Sequence, residues 1–194
     1  PKTTVSLNGT SGNNGWYKSD VVVTLIAEDQ NGSGVQKIEY TLDNGQTVQT
    51  YSQPFTVSTE GVIKLKFRSI DKAGNEENPQ EIEFKIDKTP PQVSIDANPK
   101  ILWPPNDKMI DVKITGSSSD LNQLSTKITV EDEYHLIEPA ITNFSQIIQL
   151  QASRHGDDKD GRVYTIKVVA EDLAGNIGEA VVAVIAPHDQ GNKR

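Results

Sequence analysis

The chain has 194 residues, a formal net charge of −8 and no cysteine. Without cysteine it can form no disulfide bond, thiol nucleophile or thiolate metal site. Neither half carries a basic patch, which argues against nucleic acid as a partner, and no apolar run approaches the roughly 18 residues of a membrane span, which argues against insertion into a bilayer.

The first half of the chain alternates apolar and polar residues with the period of a β-strand. The clearest segments are 21–27, 38–42, 63–67 and 82–86. Successive side chains of a strand point to opposite faces, so each segment has one apolar face that can join a core. Asn44 and Gly45 follow the second segment and predict a tight hairpin turn, because both residue types accept positive φ.

The second half repeats this pattern less regularly. Its alternating segments are 110–114, 128–130, 148–152 and 164–170. The link at 133–145 is longer, and Pro139 within it argues against a central strand because proline donates no ladder hydrogen bond. The strand topology around this link is therefore left open.

A short proline-rich stretch, at residues 87–92, separates the two halves. Two prolines follow the last alternating segment of the first half, and a new alternating segment begins at Val93. Extended proline-rich backbone is stiff, so we expect a spacer between two domains placed end to end. The sequence therefore predicts an all-β monomer of two tandem antiparallel β-sandwiches, at 1–88 and 89–194.

One segment occurs twice, about a hundred residues apart. Asp71-Lys-Ala-Gly-Asn75 and Asp172-Leu-Ala-Gly-Asn176 each stand between two alternating segments. Glycine accepts positive φ, and an aspartate can accept hydrogen bonds from the amides of its own turn. We therefore expect the same sandwich corner in both domains, closed by Asp71 in one and by Asp172 in the other.

Two groups of motifs carry a family resemblance. The first half, with Asn14-Gly-Trp-Tyr17, Gly32-Ser-Gly34 and the turn at Asp71, resembles the bacterial Ig-like repeat of N-G-W-Y type. The second half, with Trp103-Pro-Pro-Asn-Asp-Lys-Met109, is similar to another bacterial extracellular Ig-like module, although Asp107 stands where histidine is commoner. The resemblance implies Ig-like accessory modules that form a segment of a larger secreted or surface-anchored protein.

Catalytic motifs are missing from the sequence. It has no G-x-S-x-G, H-E-x-x-H or phosphate-binding glycine loop, and its histidines, at 135, 155 and 188, lack ligand spacing. Glu131, Asp132 and Glu133 are adjacent carboxylates, but acid–base catalysis needs two of them across a cleft. We therefore interpret the chain as non-catalytic and predict no obligatory cofactor.

Two loops rich in oxygen-bearing side chains suggest, as an alternative to a chain without cofactors, that the protein binds calcium. The loops at 28–34 and 155–161 contain the ligand types that calcium prefers, but neither fits an EF-hand. A looser site would combine Asp29, Asn31, Asp71 and Asn75 at one rim of the first domain. Turn formation explains the same residues, and it is the interpretation that we favour.

Three aromatic residues are candidate ligand platforms. Trp16, Tyr17 and Trp103 could stack on sugar rings if exposed, but each tryptophan stands just before a strand, which favours a structural role at a sandwich end. We therefore predict a spacer and presentation segment whose partners are neighbouring domains of the same polypeptide. The alternative is an adhesin-like module that binds polysaccharide or a host surface, with or without calcium.

Overall fold

The computed structural model describes residues 1–30, 32–136 and 143–188. The chain divides into two compact units, one of Pro1–Thr89 with Leu173–Asn176 and the other of Pro90–Asp172 with the described residues from Ile177 onward. The described residues form strands and no helix, so none of them offers a membrane-crossing helix. The prediction of tandem β-sandwiches is confirmed; independent folding of each half stays a prediction.

The first unit packs a three-stranded sheet, in the order β1-β3-β6, against a five-stranded sheet, in the order β2-β8-β7-β4-β5. Its strands are β1 (Lys2–Asn8), β2 (Trp16–Tyr17), β3 (Val21–Glu28), β4 (Val35–Thr41), β5 (Gln49–Tyr51), β6 (Phe55–Val57), β7 (Gly61–Asp71) and β8 (Gln80–Ile86). All pairings are antiparallel except that of β2 with β8.

The core of the first unit follows the alternation of its strands. Val21, Val23 and Leu25 point inward from β3, and Leu65 and Phe67 point inward from β7. Residues between them, such as Val22 and Lys66, are exposed or half-buried on the outer faces. Apolar side chains at every second position therefore place one face of each sheet in the core.

The Asn44-Gly45 turn is looser than the sequence predicts. Both residues have positive φ, 59° and 96°, as a primed turn requires. However, β4 ends at Thr41 and pairing resumes only at Gln49, which lies opposite Tyr40, so a tight two-residue turn is wrong. The wider loop is stable because side chains replace ladder bonds: Gly45 N–H donates to Thr41 Oγ1 (3.0 Å) and Thr47 N–H to Asp43 Oδ1 (2.8 Å).

The second unit packs two three-stranded sheets, in the orders β12-β10-β9 and β11-β13-β14. Its strands are β9 (Gln92–Asn98), β10 (Met109–Ser119), β11 (Gln123–Asp132), β12 (Gln146–Gln151), β13 (Arg162–Asp172) and β14 (Ile177–Ala186). These strands include the alternating segments of the second half, except that β12 ends at Gln151, one residue before the predicted end of the segment at 148–152. Part of the link at 133–145, residues 137–142 with Pro139, lies outside the described residues.

The core of the second unit is built from the inner faces of both sheets. Tyr164, Ile166 and Val168 point inward from β13, opposite Val112 and Leu150 of the other sheet, and all five are fully buried. Tyr164 is the only one with a polar group, and its hydroxyl donates to the Gln151 carbonyl (2.9 Å). Burial raises the pKa of Tyr164 to about 12.

Candidate functional site

Trp16 and Tyr17 form the edge strand β2 of the first unit. The Trp16 side chain is 7% exposed, and the Lys85 ammonium lies 5.7 Å from its ring centroid. Tyr17 is half-buried against the core. A stacking platform for sugars must expose a ring face, so this placement favours the structural role of both residues.

Trp103 differs from Trp16. It keeps 40% of its surface exposed, and neighbouring Ile101 keeps 62%. The core position is taken by Leu102, which is fully buried and whose N–H donates to the Ile185 carbonyl (2.8 Å). The expectation that Trp103 plugs the sandwich end is therefore wrong, because the alternation of this segment turns Leu102 inward and its two neighbours outward.

The first candidate calcium ligand, Asp29, closes its own loop. Its Oδ2 accepts the Gly34 N–H (2.9 Å), and its carbonyl accepts the Gly32 N–H (3.0 Å). Asn31 lies outside the described residues. The loop touches the Asp71 turn, since Lys72 N–H donates to the Gly34 carbonyl (2.9 Å). The two loops therefore share one rim of the first unit.

Asp71 closes the repeated turn in the predicted manner. Its Oδ1 accepts the N–H groups of Ala73 and Asn75, both at 2.9 Å, and its Oδ2 accepts the Asn75 side-chain amide (2.7 Å). The bond from the Asn75 side chain, with those from the two amides, lowers the pKa of Asp71. Gly74 has φ of 86°, and Gly175 in the second copy has φ of 84°. The turn interpretation of Asp71 is confirmed.

These contacts use several of the oxygens that a calcium site at this rim would need, and Asp29 Oδ1 lies 3.4 Å from the amino-terminal nitrogen of Pro1. Among the described residues, Asp29 and Asp71 do not belong to any set of three acidic, histidine or cysteine side chains whose ligand atoms approach within 4.8 Å. The Asn75 amide nitrogen faces the Asp71 carboxylate, so this side chain acts as a donor at the turn. A calcium site built from Asp29, Asn31, Asp71 and Asn75 stays a prediction, which a melting experiment can test.

Glu77 is a structural centre that the sequence reading missed. Its carboxylate accepts hydrogen bonds from Thr3 N–H (2.9 Å), Thr3 Oγ1 (2.6 Å), Ser69 N–H (3.0 Å), Ser69 Oγ (2.9 Å) and Gln80 Nε2 (2.5 Å). Partial burial alone would raise the pKa of Glu77, but these donors outweigh it and lower the pKa to about 2. Glu77 therefore ties β1 of one sheet to β7 and β8 of the other.

A buried ion pair organises one end of the second unit. Arg162 is 1% exposed and donates to Asp132 Oδ1 (2.9 Å) and Oδ2 (2.5 Å). Its guanidinium also donates to Ser153 Oγ (2.8 Å) and lies 5.1 Å from the Tyr134 ring. Arg162 lowers the pKa of Asp132 against the opposing effect of burial. Each charge lies beside the opposite charge, and all three guanidinium nitrogens of Arg162 donate hydrogen bonds. We therefore interpret the pair as structural.

Two of the three carboxylates considered for acid–base chemistry, Asp132 and Glu133, have structural partners. Asp132 binds Arg162, and Glu133 Oε1 accepts the Val163 N–H (2.7 Å). The His155 ring stacks on Tyr134 with centroids 4.1 Å apart, and the Tyr134 hydroxyl donates to Asp158. At this end of the second unit, ring stacking and hydrogen bonds thus hold the His155 imidazole, Asp158 and Glu133.

Comparisons with known proteins give only distant similarities. No protein-family model and no curated protein matches the chain. Solved structures to which it is similar include fibronectin(III)-like modules of Clostridium thermocellum CbhA, at 13% identity over 95% of this chain and 94% of that one, with a TM-score of 0.37. A second is the D00-D0 domain of intimin, at 18% identity over 94% of this chain and 98% of that one, with a TM-score of 0.31. A third is the FN1-FN3 domains of chicken CNTN1, at 10% identity over 94% of this chain and 65% of that one, with a TM-score of 0.32.

At identities and TM-scores this low, these likenesses carry no argument about fold, ligands or activity. The resemblance to N-G-W-Y repeats, which rests on sequence motifs, stays a prediction. The all-β tandem arrangement itself stands on the strand order and pairing of this chain.

Proposed function

We propose that the chain is a non-catalytic Ig-like spacer and presentation segment of a larger secreted or surface-anchored bacterial protein. The observation that carries the proposal is a set of paired charges on the outer face of the five-stranded sheet. Glu39 binds both Lys37 (2.6 Å) and Arg68 (3.0 Å), and Lys66 binds Glu81 (3.2 Å). Interspersed charges of both signs keep a module soluble.

The contacts of Lys88 and Thr89, where the chain leaves the first unit, also suit a spacer. Lys88 N–H donates to Glu60 Oε1 (2.7 Å), and Lys88 Nζ binds Asp20 (2.7 Å). Thr89 Oγ1 donates to the Glu60 carboxylate (3.0 Å). The first residues of the linker are thus fixed to the unit that they leave, which reduces the freedom of the chain at this point.

A binding experiment tests this role. The whole chain would be incubated with insoluble polysaccharides and with a soluble glycan panel, and binding would be measured by co-sedimentation and calorimetry. We expect no binding above that of an unrelated acidic protein. Antibodies against the chain should label intact cells that produce the full-length protein. Labelling only after permeabilisation would contradict the extracellular assignment.

The second candidate is an adhesin-like module that binds polysaccharide or a host surface. The observation that favours it is the exposure of Trp103 and Ile101 on one segment of the second unit. If this function holds, Trp103→Ala should abolish binding while leaving the melting temperature nearly unchanged, because the ring contributes little to the core. Binding with that pattern would overturn the spacer proposal.

A further inference from the structure

The repeated turn identifies corresponding strands in the two units. It begins at the last residue of β7, Asp71, and at the last residue of β13, Asp172. Each of these strands pairs on one side with the next strand of the chain, β8 or β14. On the other side, β7 pairs with β4 and β13 pairs with β11. Strand β11 of the second unit therefore corresponds to β4 of the first.

These two corresponding strands differ on their outer side. Strand β4 pairs there with β5, so its sheet continues. Among the described residues of the second unit, β11 ends its sheet and pairs with β13 alone, although it is 10 residues long. Its start lies close to β10, since the Ser118 and Thr126 hydroxyls are 2.9 Å apart. The open part of this edge is therefore Lys127–Glu131, and such an edge is where another strand can join a sheet.

The open edge has a distinct pattern on each face. Lys127 and Glu131 are exposed on the outer face, and half-buried Thr129 lies between them. Ile128 and Val130 alternate with these residues and are buried in the core of the second unit. Read along the strand, the outer face is thus positive, neutral and negative, and the inner face is apolar.

The two charges of this edge differ from those of the neighbouring strands. On β13 and β14, Lys167 binds Glu179 (2.9 Å). Within the part of the chain that the structure describes, neither Lys127 nor Glu131 takes part in an ion pair. Charges on an edge strand usually oppose pairing with another sheet, unless the incoming strand brings the opposite charge to each position.

A second copy of β11 brings those opposite charges. If two β11 strands pair in antiparallel orientation about a two-fold axis at Thr129, Lys127 of each copy lies opposite Glu131 of the other. Thr129 then lies opposite Thr129, and Ile128 lies opposite Val130. Opposite charges, paired threonines and paired β-branched residues are cross-strand neighbours that stabilise an antiparallel pair. An axis at Lys127 or at Glu131 would instead place like charges opposite each other.

We propose that two copies of the chain associate through their β11 edges in the register centred on Thr129. The pairing joins two three-stranded sheets into one sheet of six strands, with the self-complementary interface of a two-fold dimer. A pairing this short buries little area, so we expect a weak dimer with a Kd on the order of 0.1 mM. This inference goes beyond the proposed spacer function, and it departs from the monomer that the sequence predicts.

Sedimentation equilibrium of the whole chain, from about 10 µM to about 1 mM, measures this association. We expect the average mass to rise with concentration toward that of a dimer. The measurement involves no ligand, so its outcome is independent of the polysaccharide experiment that tests the spacer role. A chain that remains monomeric over the whole range would overturn the proposal.

Charge reversal tests the register. Lys127→Glu and Glu131→Lys each place like charges opposite each other twice per dimer, so each should raise the Kd at least about tenfold. Glu131→Lys reduces the net negative charge of the chain, so general repulsion alone predicts the opposite effect for this variant. The control is Lys113→Glu, at an exposed position of the middle strand β10, which changes net charge as Lys127→Glu does and should leave the Kd unchanged.

Restoring the opposite charges should restore the dimer. An equimolar mixture of the two single variants, and the double variant Lys127→Glu with Glu131→Lys, should each associate with a Kd within about threefold of wild type. All these side chains are exposed, so each variant should keep the melting temperature of wild type. Association that ignores Lys127→Glu, or that the mixture does not regain, contradicts the pairing.

A cysteine at the two-fold axis gives an independent readout. The native chain has no cysteine, and antiparallel neighbours have Cα atoms about 4.5–5.5 Å apart, a distance that a disulfide spans. In this register the two copies of Ser125 lie about 27 Å apart, at about 3.4 Å per residue. Under mild oxidation, Thr129→Cys should therefore form covalent dimers at least about tenfold faster than Ser125→Cys. Equal rates for the two variants would rule out an axis at Thr129.

Discussion

At the scale of single residues, buried or half-buried charges with many donors hold this protein together. Glu77 binds donors from three segments, Asp71 closes a turn, and Asp132 neutralises Arg162. Each of these carboxylates has a lowered pKa, for which hydrogen bonds to the ionised form are a shared cause. A carboxylate that must stay ionised makes the folded state sensitive to acid.

The prediction at this scale concerns Glu77. Glu77→Gln should destabilise the chain by about 2 kcal/mol at pH 7, because charged hydrogen bonds become neutral and one oxygen acceptor is lost. The folded-state pKa, about 2, lies below the ordinary value of 4.5. The contribution of the Glu77 charge is therefore complete above pH 4.5 and is lost as the pH falls toward 2.

Urea unfolding at pH 7 and at pH 3 measures this effect. The difference in free energy of unfolding between wild type and Glu77→Gln should shrink at pH 3. Glu81→Gln, at a pair that is exposed on both sides, should cost less than about 1 kcal/mol at pH 7. A difference between wild type and Glu77→Gln that does not vary with pH would show that ionisation of Glu77 does not stabilise the fold.

At the scale of elements, two short segments pair with the last strand of their units. β2 has two residues and the 100–102 segment forms only an isolated bridge, yet each connects the beginning of a unit to its last strand. The neighbouring aromatic residues differ in consequence: Trp16 is turned into the core, whereas Trp103 stands beside the core residue Leu102.

This difference predicts unequal effects of truncating the two tryptophans. Trp16→Ala should cost about 3–5 kcal/mol, the usual range for an aromatic residue removed from a core. Trp103→Ala should cost clearly less, because the ring is 40% exposed. Thermal and urea melts of the two variants make a direct comparison. Equal losses would mean that the Trp103 ring supports the fold more than its exposure indicates.

The loops of the first unit predict the response to calcium. Asp29 and Asp71 already accept backbone hydrogen bonds, so we expect little or no change in melting temperature when calcium replaces EDTA. A bound cation at a hundredfold its Kd would add about 2.7 kcal/mol. For a unit of this size that corresponds to a rise of more than about 10 °C. A rise of that size, lost in Asp29→Asn, would establish the calcium site.

At the scale of the whole molecule, each unit has its own core. The buried cluster around Leu65 and Phe67 contains residues of the first half alone, and the cluster around Tyr164 and Leu150 contains residues of the second half alone. A hydrophobic core that is complete within one segment is the main requirement for independent folding.

We therefore expect residues 1–88 and 90–190, expressed separately, each to unfold in one cooperative transition. The unit that contains Pro1–Thr89 also includes Leu173–Asn176, so the first fragment lacks four residues of its unit and should melt at a lower temperature than in the whole chain. Calorimetry of both fragments and of the whole chain measures this. Absence of a cooperative transition in both fragments would contradict the division into two domains.

The sequence by itself determined the fold class, the long strands and the Asp71 turn. These depend on local causes: the period of two along a strand, and the few residue types that accept positive φ or close a turn with their own side chain. The same causes predicted Asn44 and Gly45 with positive φ, because the backbone preference of a residue is independent of distant contacts.

Only the tertiary structure decided which residues meet across the fold. Nothing near Glu77 in the sequence indicates that Thr3, 74 residues away, supplies two of its hydrogen bonds. The two-residue strand β2 is too short to show a period, and the exposure of Trp103 depends on Leu102 occupying the core. Long-range hydrogen bonds and the competition between neighbouring side chains for one core position arise only when distant strands pack, so a local pattern does not contain them.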